Sequence, residues 1–336
     1  MSQAGPSPAL FFDTISAFQR TEALRTAIEI NLFLPLANGP RTAQELASEC
    51  NIAERGARIL ADYLTTLGFL SKTEDRYVLT TDSAVFLNSN SPAYLGGTLE
   101  FLLTPSITDC YAKLTEAVRR GGTAISDEGT VSFDNPVWVE FARGMGPLMQ
   151  LPAQLLLGLV EADASQPLRI LDVAAGHGLF GVTFAKRFPQ SMVTALDWPN
   201  VLAVAHENAR KEGVQDRHQL LPGSAFETDW GGPYDLVLLT NFLHHFDLAG
   251  CEEIAQRAYA ALAPGGKAIT LEFIPEPDRI SPPGTAGFAL TMLVTTARGD
   301  AYTFAEYDQL FTKVGFTRNE FHPLPPTMQQ AVVSYR

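Results

Sequence analysis

The stretch from Ile170 to Gly181, ILDVAAGHGLFG, decides the fold class of this chain. Its apolar start ends at Val173, and three glycines follow with the spacing G-x-G-x-x-G. Glycines allow a tight turn and a close approach of the backbone to a ligand, and the following helix presents free N–H groups. The stretch therefore predicts a strand, a ligand-cradling loop and a helix, with Gly176 and Gly178 at the ligand.

Two acidic residues define the ligand further. Asp197 ends the next apolar run, about twenty residues beyond the glycines, where a carboxylate can hold a ribose diol. The same spacing fits NAD as well as other nucleotide ligands. Asp172 lies inside the first strand, where dinucleotide-binding proteins usually have an apolar residue. Together with the position of the loop in the middle of the chain, Asp172 favours a ligand other than NAD, and its carboxylate would order the loop or meet a cationic ligand end.

Short apolar runs alternate with helical segments on both sides of the glycine loop. The predicted strands are 169–173, 192–196, a run near 218–221, 236–239 and 268–273, and the predicted helices are 179–188, 200–211 and 250–262. Alternation of this kind predicts a parallel sheet with helices on both faces. We therefore expect an α/β, Rossmann-like domain over residues 165–336.

The N-terminal part, residues 1–100, has a different pattern. Apolar residues at three- and four-residue steps predict a helical segment from Ala9 to Leu36. Thr42 and Glu45 form a capping-box pair before a second helix, and a further helix is expected from Ala53 to Leu67. Two short strand-like runs follow, so the unit resembles a winged helix.

A winged helix can bind DNA or serve as a packing and dimerisation module. Its second helix carries charges of both signs, including Glu54, Arg55, Arg58 and Asp62. A net charge of −13 and a pI near 4.9 also lack the basic character of proteins that bind phosphate backbones. We expect a dimerisation module and no nucleic-acid partner.

Composition excludes several other classes. No run of eighteen apolar residues is present, and the N-terminus lacks the features of a signal peptide, so we expect no membrane partner and a cytoplasmic protein. Cys50, Cys110 and Cys251 lie far apart without CxxC spacing, which predicts buried thiols, no disulfide framework and no metal site.

The segment 101–164 is predicted to be a helical linker that supplies a pocket wall. Phe141, Met145 and Met149 fall at helical spacing just before the α/β domain. Stripes of this kind most often belong to a core. Their position before the catalytic part of the chain makes a wall of the substrate pocket the alternative.

The motifs together resemble the two-domain small-molecule O-methyltransferases, a family that includes plant caffeate and flavonoid enzymes and many bacterial ones. The matching segments are Leu171–Val173 with Gly176 and Gly178, Leu196–Pro199, Pro222–Phe226, Tyr234–Val237 leading to His244, and Leu262–Lys267. The resemblance covers most of the chain. It implies a class I methyltransferase domain after an N-terminal dimerisation domain.

By this resemblance the cofactor is S-adenosylmethionine. Gly176 and Gly178 would line its methionine part, Asp197 would bind the ribose hydroxyls, and Trp198 and Phe226 would lie near the adenine. The family often has Asp where this chain has Ser224, so a hydroxyl or a backbone carbonyl would contact the adenine amine. The predicted cofactor-binding set is Asp172, Gly176, Gly178, Asp197, Trp198, Ser224, Ala225, Phe226 and Asn241.

Methyl transfer to a hydroxyl requires removal of a proton, because a phenol has a pKa of about 10. A histidine base is worth roughly 10²–10⁴ in rate. His244 and His245 follow the strand 236–239, and Glu272 ends a later strand, where a carboxylate could fix the tautomer of an imidazole. The resemblance places His244 at the position of the family's base, with His245 in place of the acid that usually follows. We predict that His244, His245 and Glu272 are catalytic.

The resemblance also implies a second flanking glutamate, but this chain has Ala301 there, with Asp300 next to it. Asp300 would replace the missing acid, or the site works with His244 and Glu272 alone. The predicted walls of the acceptor pocket are Phe141, Met145, Met149, Phe288, Met292 and Tyr302.

Two other functions remain open from the sequence. The missing glutamate also fits an enzyme of the same fold that performs cyclisation or hydroxylation. A ligand-sensing regulator would use the winged helix on DNA. For either enzyme the partner is a small-molecule acceptor, and the long apolar N-terminal helices predict a homodimer. By resemblance, the N-terminal domains exchange contacts and contribute to the neighbouring pocket.

Overall fold

The computed structural model describes residues 5–130 and 135–336. Its contacts divide the chain into two compact units, Met1–Leu99 and Glu100–Arg336. The helices that precede the large sheet, from residue 100 to Leu157, belong to the same unit as that sheet. Within the described residues no helix is both long and apolar enough to cross a membrane.

The first unit contains six helices and a small sheet among its described residues. The helices are α1 (Ala9–Ile15), α2 (Ala17–Glu29), α3 (Phe33–Ala37), α4 (Ala43–Glu49), α5 (Glu54–Thr66) and α6 (Thr81–Phe86). The strands are β1 (Arg41–Thr42), β2 (Leu70–Thr73) and β3 (Arg76–Leu79), in the order β1-β3-β2. The segment predicted to be helical, Ala9 to Leu36, forms three separate helices. Asn31 between α2 and α3 has φ 55°, and a right-handed helix cannot continue through that conformation.

Local signals explain the rest of this unit. The Thr42 hydroxyl accepts the Glu45 N–H and the Glu45 carboxylate accepts the Thr42 N–H, which confirms the capping box. Leu46, Leu64 and Tyr77 bury their side chains in its core. By contrast, α1 has no buried residue.

The second unit begins with helices. They are α7 (Leu99–Leu102), α8 (Pro105–Ala112), α9 (Leu114–Arg120), α10 (Val137–Gly144) and α11 (Gly146–Leu157). The later helices are α12 (Leu179–Arg187), α13 (Pro199–Lys211), α14 (Leu248–Ala261), α15 (Pro283–Thr295) and α16 (Phe304–Val314). The strands are β4 (Arg169–Val173), β5 (Met192–Asp197), β6 (His218–Pro222), β7 (Tyr234–Thr240), β8 (Leu262–Glu272), β9 (Arg318–Pro323) and β10 (Gln330–Tyr335).

The seven strands lie in the order β6-β5-β4-β7-β8-β10-β9. The first five are parallel, as predicted, and β10 runs antiparallel to both β8 and β9. One apolar core contains residues of α14 and α16 and the other contains residues of α11 and α12, so helices cover both faces. The final antiparallel pair has no counterpart in the predicted strands, because β9 is half exposed and lacks a continuous apolar run.

The order of the strands positions the site. The chain passes from β4 to β5 and β6 on one side and later returns to β7 on the other side of β4. In an open α/β sheet, the crevice at such a reversal, outside the carboxyl ends of the strands, is where ligands bind. The loops after β4, β5, β6 and β7 therefore meet at one edge of the sheet.

Candidate functional site

The glycine loop joins β4 to α12 and departs from ordinary backbone geometry. Ala174, Gly176 and Gly178 have φ values of 52°, 57° and 70°, in the left-handed region. At Gly178 a Cβ atom would lie 2.8 Å from the Cβ of Ala205, so a side chain would collide with α13. The sequence needs glycine here because the loop is both left-handed and closely packed.

Asp172 holds the loop from behind. Its carboxylate is fully buried, and Oδ2 accepts the N–H of Gly181 at 2.9 Å. Burial raises the pKa of Asp172 to about 7. The carboxylate orders the beginning of α12. Asp172 does not line the cavity at this edge of the sheet.

Asp197 lies at the end of β5 beside the loop. Its Oδ2 accepts the Gly176 N–H at 2.8 Å and its Oδ1 accepts the Trp198 N–H at 2.7 Å. Burial raises the pKa of Asp197 to about 6, against the opposite effect of the two N–H groups. Each carboxylate oxygen can accept a further hydrogen bond, so Asp197 can also bind hydroxyl groups in the cavity.

A cavity of about 370 Å³ lies at the carboxyl ends of four strands, β4 to β7. It is lined by Ala174–His177 after β4, by Asp197 and Trp198 after β5, by 223–227 after β6, and by 240–242, His245 and Phe246 after β7. Trp138 and Phe141 of α10 form part of the wall. The cavity therefore brings together the predicted residues Gly176, Asp197, Trp198, Ser224, Ala225, Phe226, Asn241, His245 and Phe141.

The end of the cavity near β6 is aromatic. The ring of Phe226 meets that of Phe246 edge-on at 4.9 Å, and Phe246 meets Phe242 at 5.0 Å. The Ser224 hydroxyl accepts the Phe226 N–H at 3.2 Å, and the Ala225 carbonyl accepts the Trp230 indole N–H. This end offers flat apolar faces to a planar ring.

His244, in the turn after β7, and Glu272, at the end of β8, form a buried pair. Nδ1 of His244 lies 2.5 Å from Oε2 of Glu272. Oε1 of Glu272 accepts the N–H groups of Phe242 and Leu243 at 3.0 and 2.9 Å, so the same carboxylate anchors the turn that carries the histidine. This network assigns the imidazole proton to Nδ1 and leaves Nε2 as the acceptor. Within the described residues, Nε2 has no hydrogen-bond partner.

The two neighbouring histidines have different surroundings. His245 lines the cavity and its ring lies 5.0 Å from that of Trp138, edge-on. Burial and the neighbouring His244 lower its pKa well below the ordinary value, so His245 is neutral. His244 is not part of this cavity wall as described; its ring instead meets that of Phe288 at 4.7 Å.

Asn241 begins the segment between β7 and the histidines. Its φ is 53°, and its side chain donates to the sulfur of Met149 at 3.4 Å and accepts from the amide of Gln329. A thioether cannot donate, so the amide nitrogen must face Met149. Gln329 has no local signal in the sequence, because it reaches Asn241 from the segment between β9 and β10.

The predicted acceptor-pocket residues are dispersed. Phe141 lines the cavity, whereas Met145 and Met149 are only 7% and 4% exposed and pack in the apolar core beside α12. Met292 is also buried, and Tyr302 donates its hydroxyl to the Phe246 carbonyl at 2.7 Å. Tyr302 thus braces the segment after the histidines.

The position of the missing glutamate is apolar. Ala301 is buried, and the Asp300 carboxylate lies 3.7 Å from Arg279 in a partly exposed ion pair. Neither residue is a hydrogen-bond partner of His244 among the described residues, and Glu272 is the carboxylate that contacts it.

His177 is a wall residue that the sequence reasoning did not select. It is 2% exposed, its ring is stacked on that of Phe141 at 6.3 Å, and its Nδ1 accepts the Leu179 N–H at 3.1 Å. The signal in the sequence that could have identified His177 is its place as a polar aromatic residue between the two loop glycines.

A left-handed glycine loop beside the buried carboxylate of Asp197, and a histidine–glutamate pair after the neighbouring strands, are typical of a Rossmann-like methyltransferase. Comparison with family models agrees with this class. Residues 111–317 match the O-methyltransferase domain, and residues 12–89 match the O-methyltransferase dimerisation domain.

Individual relatives extend over nearly the whole chain. A 3-hydroxy-5-methyl-1-naphthoate 3-O-methyltransferase of Streptomyces sahachiroi is 30% identical over 311 residues, covering 92% of this chain and 89% of the relative. The crystal structure of a Nostoc punctiforme protein, provisionally assigned as an O-methyltransferase, is 51% identical with a TM-score of 0.95, covering 98% of this chain and 100% of that one.

A more distant neighbour shares the fold. Human N-acetylserotonin methyltransferase, solved in complex with S-adenosylmethionine, is 22% identical with a TM-score of 0.85, covering 100% of this chain and 99% of that chain. These findings, with the family match over more than half of the sequence, show that the chain belongs to the O-methyltransferase family and is an O-methyltransferase.

Proposed function

We propose that this enzyme methylates a hydroxyl group of a small aromatic acceptor, with S-adenosylmethionine as the donor and His244 as the base. The observation that carries the proposal is the His244–Glu272 pair, which lies at the carboxyl end of β7 next to the glycine cradle. The named activities of relatives support the acceptor class, since they include a hydroxynaphthoate and a mitomycin O-methyltransferase.

The cavity fits S-adenosylmethionine. Asp197 offers a carboxylate whose remaining lone pairs suit a ribose diol, and Phe226 and Phe246 offer apolar faces to an adenine ring. Ser224 already accepts from Phe226, so a hydroxyl or backbone carbonyl of 223–227 would contact the adenine amine. When bound, S-adenosylmethionine supplies an electrophilic methyl group.

The residues of the chain then have distinct tasks. Glu272 holds Nδ1–H of His244, which keeps the lone pair on Nε2 free to accept the proton of the acceptor hydroxyl. Loss of that proton gives the acceptor oxygen the charge it needs to attack. Trp138 in the cavity wall and Phe288 against the His244 ring would exclude water and orient a flat acceptor.

The test is a screen of phenolic compounds with isotope-labelled S-adenosylmethionine. Mass spectrometry should detect a labelled methyl group on an oxygen atom of at least one phenol. Calorimetry should show that S-adenosylhomocysteine binds. Absence of S-adenosylhomocysteine binding would contradict the cofactor assignment, and transfer only to nitrogen or carbon would contradict the acceptor assignment.

The comparisons give no support to cyclisation, hydroxylation or DNA-dependent regulation as the function, since the relatives named above are O-methyltransferases.

The charges on α5 do not favour DNA binding either, because the Arg58 guanidinium is paired with Asp62 at 3.1 Å. The cytoplasmic location stays a prediction.

We also propose that the chain is a homodimer held by its N-terminal unit. The α1 region exposes a set of large apolar side chains that are 52% to 77% exposed: Leu10, Phe11, Phe12, Ile15 and Phe18. Monomeric proteins rarely leave such a cluster in water. The match to a dimerisation domain over residues 12–89 supports a second copy of this chain as the cover.

Light scattering tests the dimer. The wild-type protein should have twice the mass of one chain, and the double variant Phe11→Asp/Phe18→Asp should have the mass of one chain. Arg76→Ala, at an exposed position of the central strand β3, serves as the control and should leave the mass doubled. A single-chain mass for the wild-type protein would contradict the proposal.

A further inference from the structure

We infer that His177 recognises the carboxylate at the amino-acid end of S-adenosylmethionine by donating a hydrogen bond from Nε2–H. The inference rests on the proposed cofactor and adds a residue to its recognition. His177 lines the cavity between Gly176 and Gly178, and neither the motif nor the mechanism above uses its side chain.

A backbone contact fixes the tautomer of His177. The Leu179 N–H donates to Nδ1 at 3.1 Å, and a backbone amide nitrogen can only donate. Nδ1 must therefore carry the lone pair, so the proton of the neutral ring is on Nε2. This is the opposite of His244, whose Nδ1 carries the proton toward Glu272.

The ring is rigid and neutral. It is stacked on Phe141 and lies 5.7 Å from the ring of Phe180, and only 2% of the residue is exposed. Burial lowers its pKa to about 4, so near neutral pH the ring is a donor of fixed orientation. Among the described residues, no acceptor is hydrogen-bonded to Nε2.

The order of the loops indicates which part of the ligand meets this donor. The aromatic end follows β6, the ribose-binding Asp197 follows β5, and the glycine loop follows β4, the next strand of the sheet. The Gly176 N–H is bonded to Asp197, so His177 lies one residue beyond the ribose site, away from Phe226. An extended nucleoside with an amino-acid tail would place its tail at His177.

The carboxylic acids that line the cavity are Glu128, Asp197 and Glu227. No lysine or arginine lines the cavity as far as the chain is described, so no cationic side chain is available to pair with a carboxylate there. The beginning of α12 has a favourable dipole for an anion. Its Leu179 and Gly181 N–H groups are already bonded to His177 and Asp172, which leaves the imidazole N–H as a free side-chain donor.

Two ligands separate this contact from the rest of the cofactor site. S-adenosylhomocysteine has the amino-acid tail, and 5′-methylthioadenosine has the same adenosine and thioether without it. His177→Phe keeps the ring stack and removes the donor, whereas His177→Gln keeps a donor. Calorimetry on the full-length protein should show that His177→Phe weakens S-adenosylhomocysteine binding about 10- to 100-fold and changes methylthioadenosine binding less than about twofold. His177→Gln should recover part of the loss.

Equal losses for both ligands in His177→Phe would show a packing role and overturn the inference, as would unchanged affinity for S-adenosylhomocysteine. A wild-type protein that binds neither ligand would instead contradict the cofactor itself. If the variant fails to fold, ¹⁵N NMR of the wild-type imidazole gives the answer. It should show a protonated Nε2 that shifts on adding S-adenosylhomocysteine and not on adding methylthioadenosine; a protonated Nδ1 would overturn the inference.

Discussion

The site has two halves that are built in different ways. The cofactor half follows β4, β5 and β6. Its hydrogen bonds join backbone N–H groups to one carboxylate, Asp197. In the acceptor half, after β7 and β8, side chains from distant parts of the chain meet, such as His244, Glu272 and Phe288. The cofactor half therefore depends on local chain conformation, whereas the acceptor half depends on tertiary packing. Substitutions should therefore separate cofactor affinity from turnover.

Loss of the base should have the largest effect. His244→Gln should lower kcat by about 10²–10⁴, because no group then removes the acceptor proton. Calorimetry should find the affinity for S-adenosylhomocysteine within about twofold of wild type, since the imidazole belongs to the acceptor half. Equal losses of affinity and turnover would remove the distinction between the two halves.

Glu272→Gln should lower kcat by about 10² by changing the histidine tautomer. The amide can keep accepting the N–H groups of Phe242 and Leu243, but its NH₂ group would donate to Nδ1 of His244. The proton would then move to Nε2 and block the base, as happens when the acid beside a catalytic histidine is changed to an amide. The melting temperature serves as the control for the fold. Unchanged kcat in a folded variant would show that Glu272 has only a structural role.

In the cofactor half, Asp197→Asn should weaken S-adenosylhomocysteine binding by about 10- to 100-fold, because a hydrogen bond to a charged group is lost. Turnover at saturating S-adenosylmethionine should fall much less than affinity. Asp235→Asn, at the opposite end of the sheet, is a matched control that should leave the affinity unchanged. An affinity loss of similar size in the control would indicate a general effect of charge.

The pH dependence of cofactor binding should also report on Asp197. Burial raises its pKa to about 6. In the proposed site, the ionised form is the one that would accept the ribose hydroxyls. As the pH falls through about 6, protonation removes acceptor sites, so affinity should decrease by up to about tenfold per pH unit. Calorimetry at a series of pH values should show this decrease in wild type and a flatter profile in Asp197→Asn. An identical slope in both proteins would assign the titration to another group.

The smallest expected effect concerns the packing of the glycine loop. Gly178 and Gly213 both have φ 70°, but a Cβ at Gly178 would clash with Ala205, whereas the space around Gly213 is open. Gly178→Ala should therefore lower the free energy of unfolding by about 1 kcal/mol more than Gly213→Ala does. Urea denaturation measures the difference. Equal losses would mean that the loop adjusts without strain.

The cofactor half could be predicted from the sequence because its signals are local. Gly176, Gly178 and Asp197 lie in short motifs next to predicted strands. The structure places Gly176 and Asp197 in the wall of one cavity and Gly178 at the start of α12, outside that wall. His177 was not predicted as a contact, because its tautomer depends on the conformation of Leu179. The residues of the acceptor pocket were harder to predict from the sequence. Met145 and Met149 have helical spacing, and this pattern does not distinguish a cavity wall from a core.

Long-range contacts explain the remaining gaps. The antiparallel strands β9 and β10 and the contact of Gln329 with Asn241 depend on pairing between segments far apart in the chain. The break at Asn31 depends on a single backbone conformation that a periodic apolar pattern does not reveal. The pairing of His244 with Glu272 was predicted from family resemblance, and its geometry became visible only in the folded chain.

The pH profile of the single-turnover rate of methyl transfer to a phenol tests the role of His244 most directly. If Nε2 of His244 removes the proton, the wild-type rate should change little from about pH 7.5 to about pH 9.5, whereas His244→Gln should react only through phenolate already present. The rate of the variant should then rise about tenfold per pH unit toward the phenol pKa of about 10. The same slope in both proteins would contradict the assignment of His244 as the base.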